Sequence, residues 1–135
     1  MSNFFTVDIL TPSKVVAKDI PAEALLIPTA TGQINVLPQH THIVTQLETG
    51  KVSVFGGSDD PDRHFTVTNG VCKVLEGKIV ILTTTSEEDT EIDAERAKLA
   101  LENAEDRLTN STLTEDEFVK YQRKKMRAQL RMQMK

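Results

Sequence analysis

The sequence predicts a β + α protein: an N-terminal antiparallel β-sandwich of about ten strands, residues 1–86, followed by a C-terminal antiparallel two-helix hairpin, residues 87–135. Three observations carry this reading. Apolar residues recur with period two from Phe4 to about Thr85, as in strands with one buried face. Turn signals divide that stretch at short, regular intervals, which favours a sandwich or small barrel. After Ser86 the period becomes helical.

Along the first half, Phe5, Val7 and Ile9 alternate with Thr6 and Asp8, and Ile34 and Val36 with Gln33 and Asn35. Val52 and Val54 alternate with Lys51 and Ser53, and Phe65 and Val67 with His64, Thr66 and Thr68. The breaks are Thr11-Pro12-Ser13, Thr31-Gly32, Glu48-Thr49-Gly50, Gly56 to Pro61, Asn69-Gly70 and Glu76-Gly77, all turn-forming chemistry. Asn69-Gly70 reads as a two-residue hairpin, since both residues tolerate positive φ. In the second half Ala97, Leu101, Ala104 and Leu108 form a helical stripe that stops at Thr109-Asn110-Ser111. Thr114 and Glu117 open the second helix as a Thr-x-x-Glu capping box. The short connection predicts an antiparallel hairpin. The second helix has a thin apolar stripe, Val119, Met126, Leu130 and Met134, which predicts a weakly docked arm.

The 135 residues are 39% apolar and 27% charged, with five Phe, one Tyr and no Trp, so the core is aliphatic. The longest apolar runs, such as Ile79 to Leu82, fall far short of the roughly 20 residues of a spanning helix, and the N-terminus reads as lacking a targeting signal. One cysteine, Cys72, excludes an internal disulfide and suits a reducing compartment. The net charge of −4 conceals blocks. Residues 86–117 carry twelve acidic and three basic groups, and residues 118–135 carry seven basic groups and no acidic one, which predicts pairing of the blocks or a partner for each.

Several chemistries find no support. There is no phosphate-cradling Gly-x-x-x-x-Gly-Lys-Ser/Thr loop, hence no NTPase engine, and no nucleophile with its base can be argued from spacing; the chain reads as a non-enzyme. His40 and His42 share a strand face at i, i+2, but only His64 and Cys72 could complete a metal site, so no metal is assigned. Cys72, beside Val71 and Val74, reads as a packed side chain. The run Glu87-Glu88-Asp89-Thr90-Glu91 lacks EF-hand spacing and suits the start of a helix. The cations Lys120, Arg123, Lys124, Lys125, Arg127, Arg131 and Lys135 have little aromatic interleaving, which argues against nucleic acid and for an acidic protein partner.

Against this background Gly32-Gln33-Ile34-Asn35-Val36-Leu37-Pro38-Gln39-His40 resembles the segment Gly-Glu-Ile-Gly-Val-Leu-Pro-Gly-His of the ATP synthase ε family, called δ in mitochondria. Thr68 to Val74 and Lys78 to Leu82 look like the family's later hairpin. Glu91-Ile92-Asp93-Ala94-Glu95-Arg96-Ala97 is similar to the pattern Ile/Leu-Asp-x-x-Arg-Ala that opens its first tail helix. The likeness runs in order over nearly the whole chain. It implies a bacterial-type, non-catalytic central-stalk rotor subunit of proton-translocating F1Fo ATP synthase, peripheral on the cytoplasmic side of the inner membrane. The head would bind the γ subunit and the c-ring, with Gln33, His40 and His42 at that contact. The tail would inhibit ATP hydrolysis by meeting acidic loops of β within the α/β assembly, through Arg123, Lys124, Arg127 and Arg131. Some members bind regulatory ATP in the folded hairpin; Glu87, Ile92, Asp93 and Arg96 match those positions, whereas the next family arginine falls on Asn103. Gln33 replaces the family glutamate facing the ring, Asn35 and Gln39 replace glycines, and His42 stands where proline is usual. Read from the residues alone, Asp93 serves equally as a helix N-cap, and the runner-up function is a free-standing sandwich-and-hairpin adaptor.

Overall fold

The computed structural model describes residues 5–37, 43–57 and 60–134. The chain divides into two compact units, Met1–Glu88 and Asp89–Lys135. The first contains nine strands among the described residues: β1 (Phe5–Leu10), β2 (Val15–Ala22), β3 (Ala24–Thr29), β4 (Gly32–Val36), β5 (Ile43–Leu47), β6 (Gly50–Phe55), β7 (Arg63–Val67), β8 (Gly70–Leu75) and β9 (Lys78–Thr83). They form a five-stranded sheet, β2-β1-β9-β8-β5, and a four-stranded sheet, β4-β3-β6-β7. Between them Val7, Ile9, Leu25, Ile27, Leu47, Val52, Val54, Phe65, Val67, Cys72, Ile79 and Ile81 are wholly or almost wholly buried. These are the inward residues of the period-two pattern, and β-branched side chains dominate because they pack well on a pleated surface. Burial pushes the Cys72 thiol up to about 12, so it stays protonated and unreactive. Ile34 breaks the pattern; it is exposed on the edge strand β4.

Two features of the topology differ from the reading of the sequence. Asn69-Gly70 is not a hairpin. Its backbone has the anticipated positive φ, 49° at Asn69, but β7 pairs with β6 in one sheet while β8 pairs with β5 and β9 in the other. The turn carries the chain across the sandwich, because residue conformation sets the bend and not the partner of the strand that follows. Two-residue hairpins do form at Ala30-Thr31, with Thr29 paired to Gly32, and at Glu76-Gly77, with Leu75 paired to Lys78 and Gly77 at φ 72°. The second difference is that β1 pairs with β9 in parallel, Thr6 opposite Lys78 through Leu10 opposite Leu82. The intervening sandwich serves as the long crossover that a parallel pair requires.

Opposite Asp8 the register of β2 slips, and Asp19 takes φ 53°. The Asp19 N–H donates to Asp8 Oδ1 at 2.8 Å, and Lys78 Nζ lies 3.1 Å from Asp8 Oδ2 and 3.4 Å from Asp19 Oδ1. Burial alone would raise the Asp8 carboxyl; the Asp19 amide and Lys78 outweigh it and hold Asp8 below its ordinary value. A depressed carboxyl stabilises the fold above its unfolded pKa. That contribution is lost as pH falls through the lower folded value.

The second unit opens with a 3₁₀ turn, Asp89–Glu91, followed by α1 (Ala94–Asn110) and α2 (Glu115–Gln133). Asp93 caps α1, accepting from the N–H groups of Glu95 and Arg96, each at 3.1 Å. Thr114 and Glu117 form the reciprocal capping box of α2. The α1 stripe is as the period implies, with Ala97 and Ala104 buried and Leu101 and Leu108 half-buried. The α2 stripe is not. Val119 and Met126 are exposed, and the buried residue of α2 is Ala128. The fully buried positions of the two helices are thus small alanines, which bury little area each, while Leu101, Leu108 and Leu130 are half-buried.

Candidate functional site

Two surfaces of the described residues carry unusual chemistry, one on each unit. The first is the outer face of the five-stranded sheet. Strand alternation turns Leu10, Val44, Val71, Leu75, Val80 and Leu82 away from the core, and Val15 pairs with Leu10 on the same side. Val44 is 68% exposed, and Val15, Leu75 and Leu82 are exposed as well. A groove of about 440 Å³ lies at one end of this face, lined by Leu10, Thr11, Pro12, Gly70, Leu82, Thr83 and Thr84. The charges on this face are few: Lys73 stands between Val44 and Val80, and Asp8 is paired with Lys78, so the face keeps the character of a protein-docking surface.

The second is a cationic recess of about 270 Å³ between α1 and α2, lined by Ala100, Asn103, Ala104, Tyr121, Lys124, Arg127 and Arg131. The alanines make the space, and the α2 cations surround it. Lys120, Lys124 and, from α1, Arg107 gather round the Tyr121 ring at 5.2–5.9 Å from its centroid, close enough for attraction by the ring quadrupole. Arg96 lies one turn before Ala100 on the same α1 face, following the i, i+4, i+7 spacing to Asn103.

The residues singled out in the sequence distribute unevenly. Lys124, Arg127 and Arg131 line the recess, while Arg123 is exposed and outside it. Asp93 is engaged as the α1 cap. Ile92 is buried and Arg96 exposed, and neither lines the recess. Glu87 belongs to the sandwich unit, where its N–H donates to Thr66 Oγ1 at 3.0 Å. Gln33 is exposed on β4; His40 and His42 lie outside the described residues. His64 pairs through Nδ1 with Ser53 Oγ at 2.9 Å. Among the described residues no three His, Cys, Asp or Glu side chains gather as a metal-binding group. Sequence reasoning missed the recess as a unit and Tyr121 at its edge. The signal available was the i, i+3, i+7 spacing of Lys124, Arg127 and Arg131.

Comparison with known proteins accounts for both units. Residues 4–89 match the family described as ATP synthase, Delta/Epsilon chain, beta-sandwich domain, and residues 90–135 match its long alpha-helix domain. The chain belongs to the ATP synthase delta/epsilon family. Across 134 residues this delta/epsilon chain is 33% identical to ATP synthase epsilon chain 2 of Syntrophotalea carbinolica, covering 99% of it and 95% of the relative. It is 35% identical to the ATP synthase epsilon chain of Koribacter versatilis over 82% of its own length and 76% of the other's. In fold it is similar to a chain in the cryo-EM structure of the Euglena gracilis mitochondrial ATP synthase (OSCP, F1 and c-ring), with a TM-score of 0.77, 22% identity and coverage of 93% of this chain and 78% of that one. As a delta/epsilon chain it is a non-catalytic subunit with a rotor and regulatory role, which sets aside the free-standing adaptor.

Proposed function

We propose that the sandwich unit docks on the γ subunit and c-ring of a bacterial F1Fo ATP synthase, and that the helical unit regulates ATP hydrolysis by F1. The observation that carries the docking half is the exposed apolar outer face of the five-stranded sheet, with Val15, Val44, Leu75 and Leu82 open to solvent. Such a face suits a large, lasting interface, as a rotor subunit requires. Gln33, with His40 and His42, is assigned to the ring contact through the family pattern. No helix among the described residues is long and apolar enough to cross a membrane; in this reading the chain sits at the cytoplasmic face of the inner membrane through its complex. Val44→Glu with Leu82→Glu in the full chain is expected to weaken binding to purified γ on the order of 100-fold, the loss typical of charging an interface centre. Size exclusion or surface plasmon resonance with γ measures it. Unchanged affinity in a folded double variant overturns this docking face.

The recess supports a second element of regulation, binding of ATP by the hairpin. Three cations and an amide facing one space of about 270 Å³ suit a polyphosphate. Lys124, Arg127 and Arg131 are three of the four residues assigned, with Arg123, to the acidic loops of β, so phosphate and β compete for these three charges. Bound ATP therefore holds the arm folded. At a hundredfold excess over Kd, ATP is expected to stabilise the hairpin by about 2.7 kcal/mol, read as a rise in melting temperature. Arg127→Ala with Arg131→Ala abolishes the rise. Arg96→Ala separates two arrangements: loss of the rise places the phosphates by Asp93 and Arg96, and its retention places them in the recess. No shift at millimolar ATP with the wild-type chain overturns nucleotide binding.

A further inference from the structure

We propose that Ser86–Glu88 is a clipped tether, an extra strand segment locked to the open edge of β7 by the Arg63–Glu88 ion pair, so that the helical unit pivots after Glu88 and not at the end of the last named strand. β7 is the outermost strand of its sheet, and an open strand edge needs a partner or a cover. The chain supplies one after β9. The Thr66 N–H donates to the Glu87 carbonyl at 2.8 Å, and the Glu87 N–H returns to Thr66 Oγ1 at 3.0 Å. Glu88 makes an antiparallel bridge with Phe65.

The clip is the side-chain fork at the end of this pairing. Arg63 Nε donates to Glu88 Oε2 and Nη2 to Oε1, both at 2.8 Å. Two parallel bonds fix orientation as well as distance. The guanidinium lies 5.3 Å from the Phe65 ring centroid, and the Glu88 side chain retains 16% exposure, so water competes for the pair only in part. Behind it a ladder of threonines continues the attachment: Thr85 Oγ1 donates to Thr68 Oγ1 at 2.8 Å, and the Thr68 N–H to Thr83 Oγ1 at 2.9 Å. From Asp89 onward the bonds turn local. The Ile92 N–H donates to the Asp89 carbonyl at 3.3 Å, and Asp93 caps its own helix. The pairing with the sheet therefore ends in the bidentate Arg63–Glu88 contact, directly before a 3₁₀ turn closed by its own backbone bond. Residues 89–93 form the pivot, and any arm movement is counted from Asp89.

Hydrogen exchange on the full chain tests this without reference to the inhibitory reading. In the wild type the Thr66 amide is expected to exchange on the order of 100-fold more slowly than the Ile92 amide, since the two lie on opposite sides of the pivot. In Arg63→Met the Thr66 amide accelerates at least about tenfold, and in Glu88→Gln by a smaller factor, because a neutral amide retains part of the fork. Val52 and Cys72 amides stay at wild-type rates in both, reporting an intact sandwich. Adding 1 M salt accelerates Thr66 in the wild type and not in Arg63→Met. The tether is overturned if Thr66 and Ile92 exchange together in the wild type, for the segment then leaves with the helical unit. It is equally overturned if neither variant changes Thr66 exchange by twofold.

Discussion

Deleting residues 113–135 is expected to raise ATP hydrolysis by reconstituted F1 at least about fivefold, the low end of a regulatory coupling of about 1–3 kcal/mol. The deletion removes α2 with all seven basic residues of 118–135 and leaves the sandwich intact, so γ binding stays at its wild-type level. The size of the effect follows from how the hairpin is held. Its buried residues in the two helices are Ala97, Ala104 and Ala128, and alanine burial stabilises little compared with leucine or phenylalanine. The inhibitory reading requires docked and released arms to differ by only about a few kcal/mol, a gap that new contacts with β would reverse. Reversing Lys124, Arg127 and Arg131 to Glu releases hydrolysis without any deletion and also abolishes the ATP response, since these three line the recess. Arg123→Glu separates the two roles: Arg123 is exposed outside the recess, so its reversal weakens inhibition and spares the ATP response. Wild-type hydrolysis rates in the deletion and the triple variant, across a range of ATP and salt, overturn the inhibitory arm.

Gly70→Ala is expected to lower the stability of the sandwich by about 3 kcal/mol or more, among the larger costs of a single methyl group. A Cβ at Gly70 would fall on the Leu82 carbonyl oxygen, with Leu82 C and Thr83 Cα within 2.9 Å, and the backbone sits at φ 155°. All three obstacles are main-chain atoms of β9, the central strand of the five-stranded sheet. No side chain can rotate away, so the sheet itself must give. Gly77→Ala provides the comparison, since φ there is 72° but nothing lies within 4 Å of the added atom. It is expected to cost about 1–2 kcal/mol, the conformational cost alone. Thermal or urea unfolding of both variants measures the difference; equal stabilities overturn the account of close approach.

The positions of Gly70 and Asn69 show what was legible in the residues and what was not. Positive φ at Asn69 follows from local chemistry, and the turn is where the sequence places it. Its consequence depends on where β8 goes, and β8 finds β5 and β9 instead of β7. The site shows the same division. The seven cations of the last block are plain in the sequence, but a charge has no facing direction until the helix has a neighbour. The α1 face built from Ala100, Asn103 and Ala104 turns three of those cations into the walls of a recess.

By itself the sequence determined the period-two half and the helical half, the α1 stripe, both helix caps and the lack of phosphate-loop chemistry. Each depends on residues within a turn or a few strand positions of one another, where backbone preference and burial periodicity act locally. Tertiary structure alone decided the parallel pairing of β1 with β9, the crossing at Asn69-Gly70, the outward turn of Val119 and Met126, and the capture of Glu88 by Arg63. Those outcomes join residues far apart in the chain, such as Thr6 with Lys78 and Arg63 with Glu88. They are settled by which surfaces can be buried together and which strand edges are left open, and no local pattern encodes that competition.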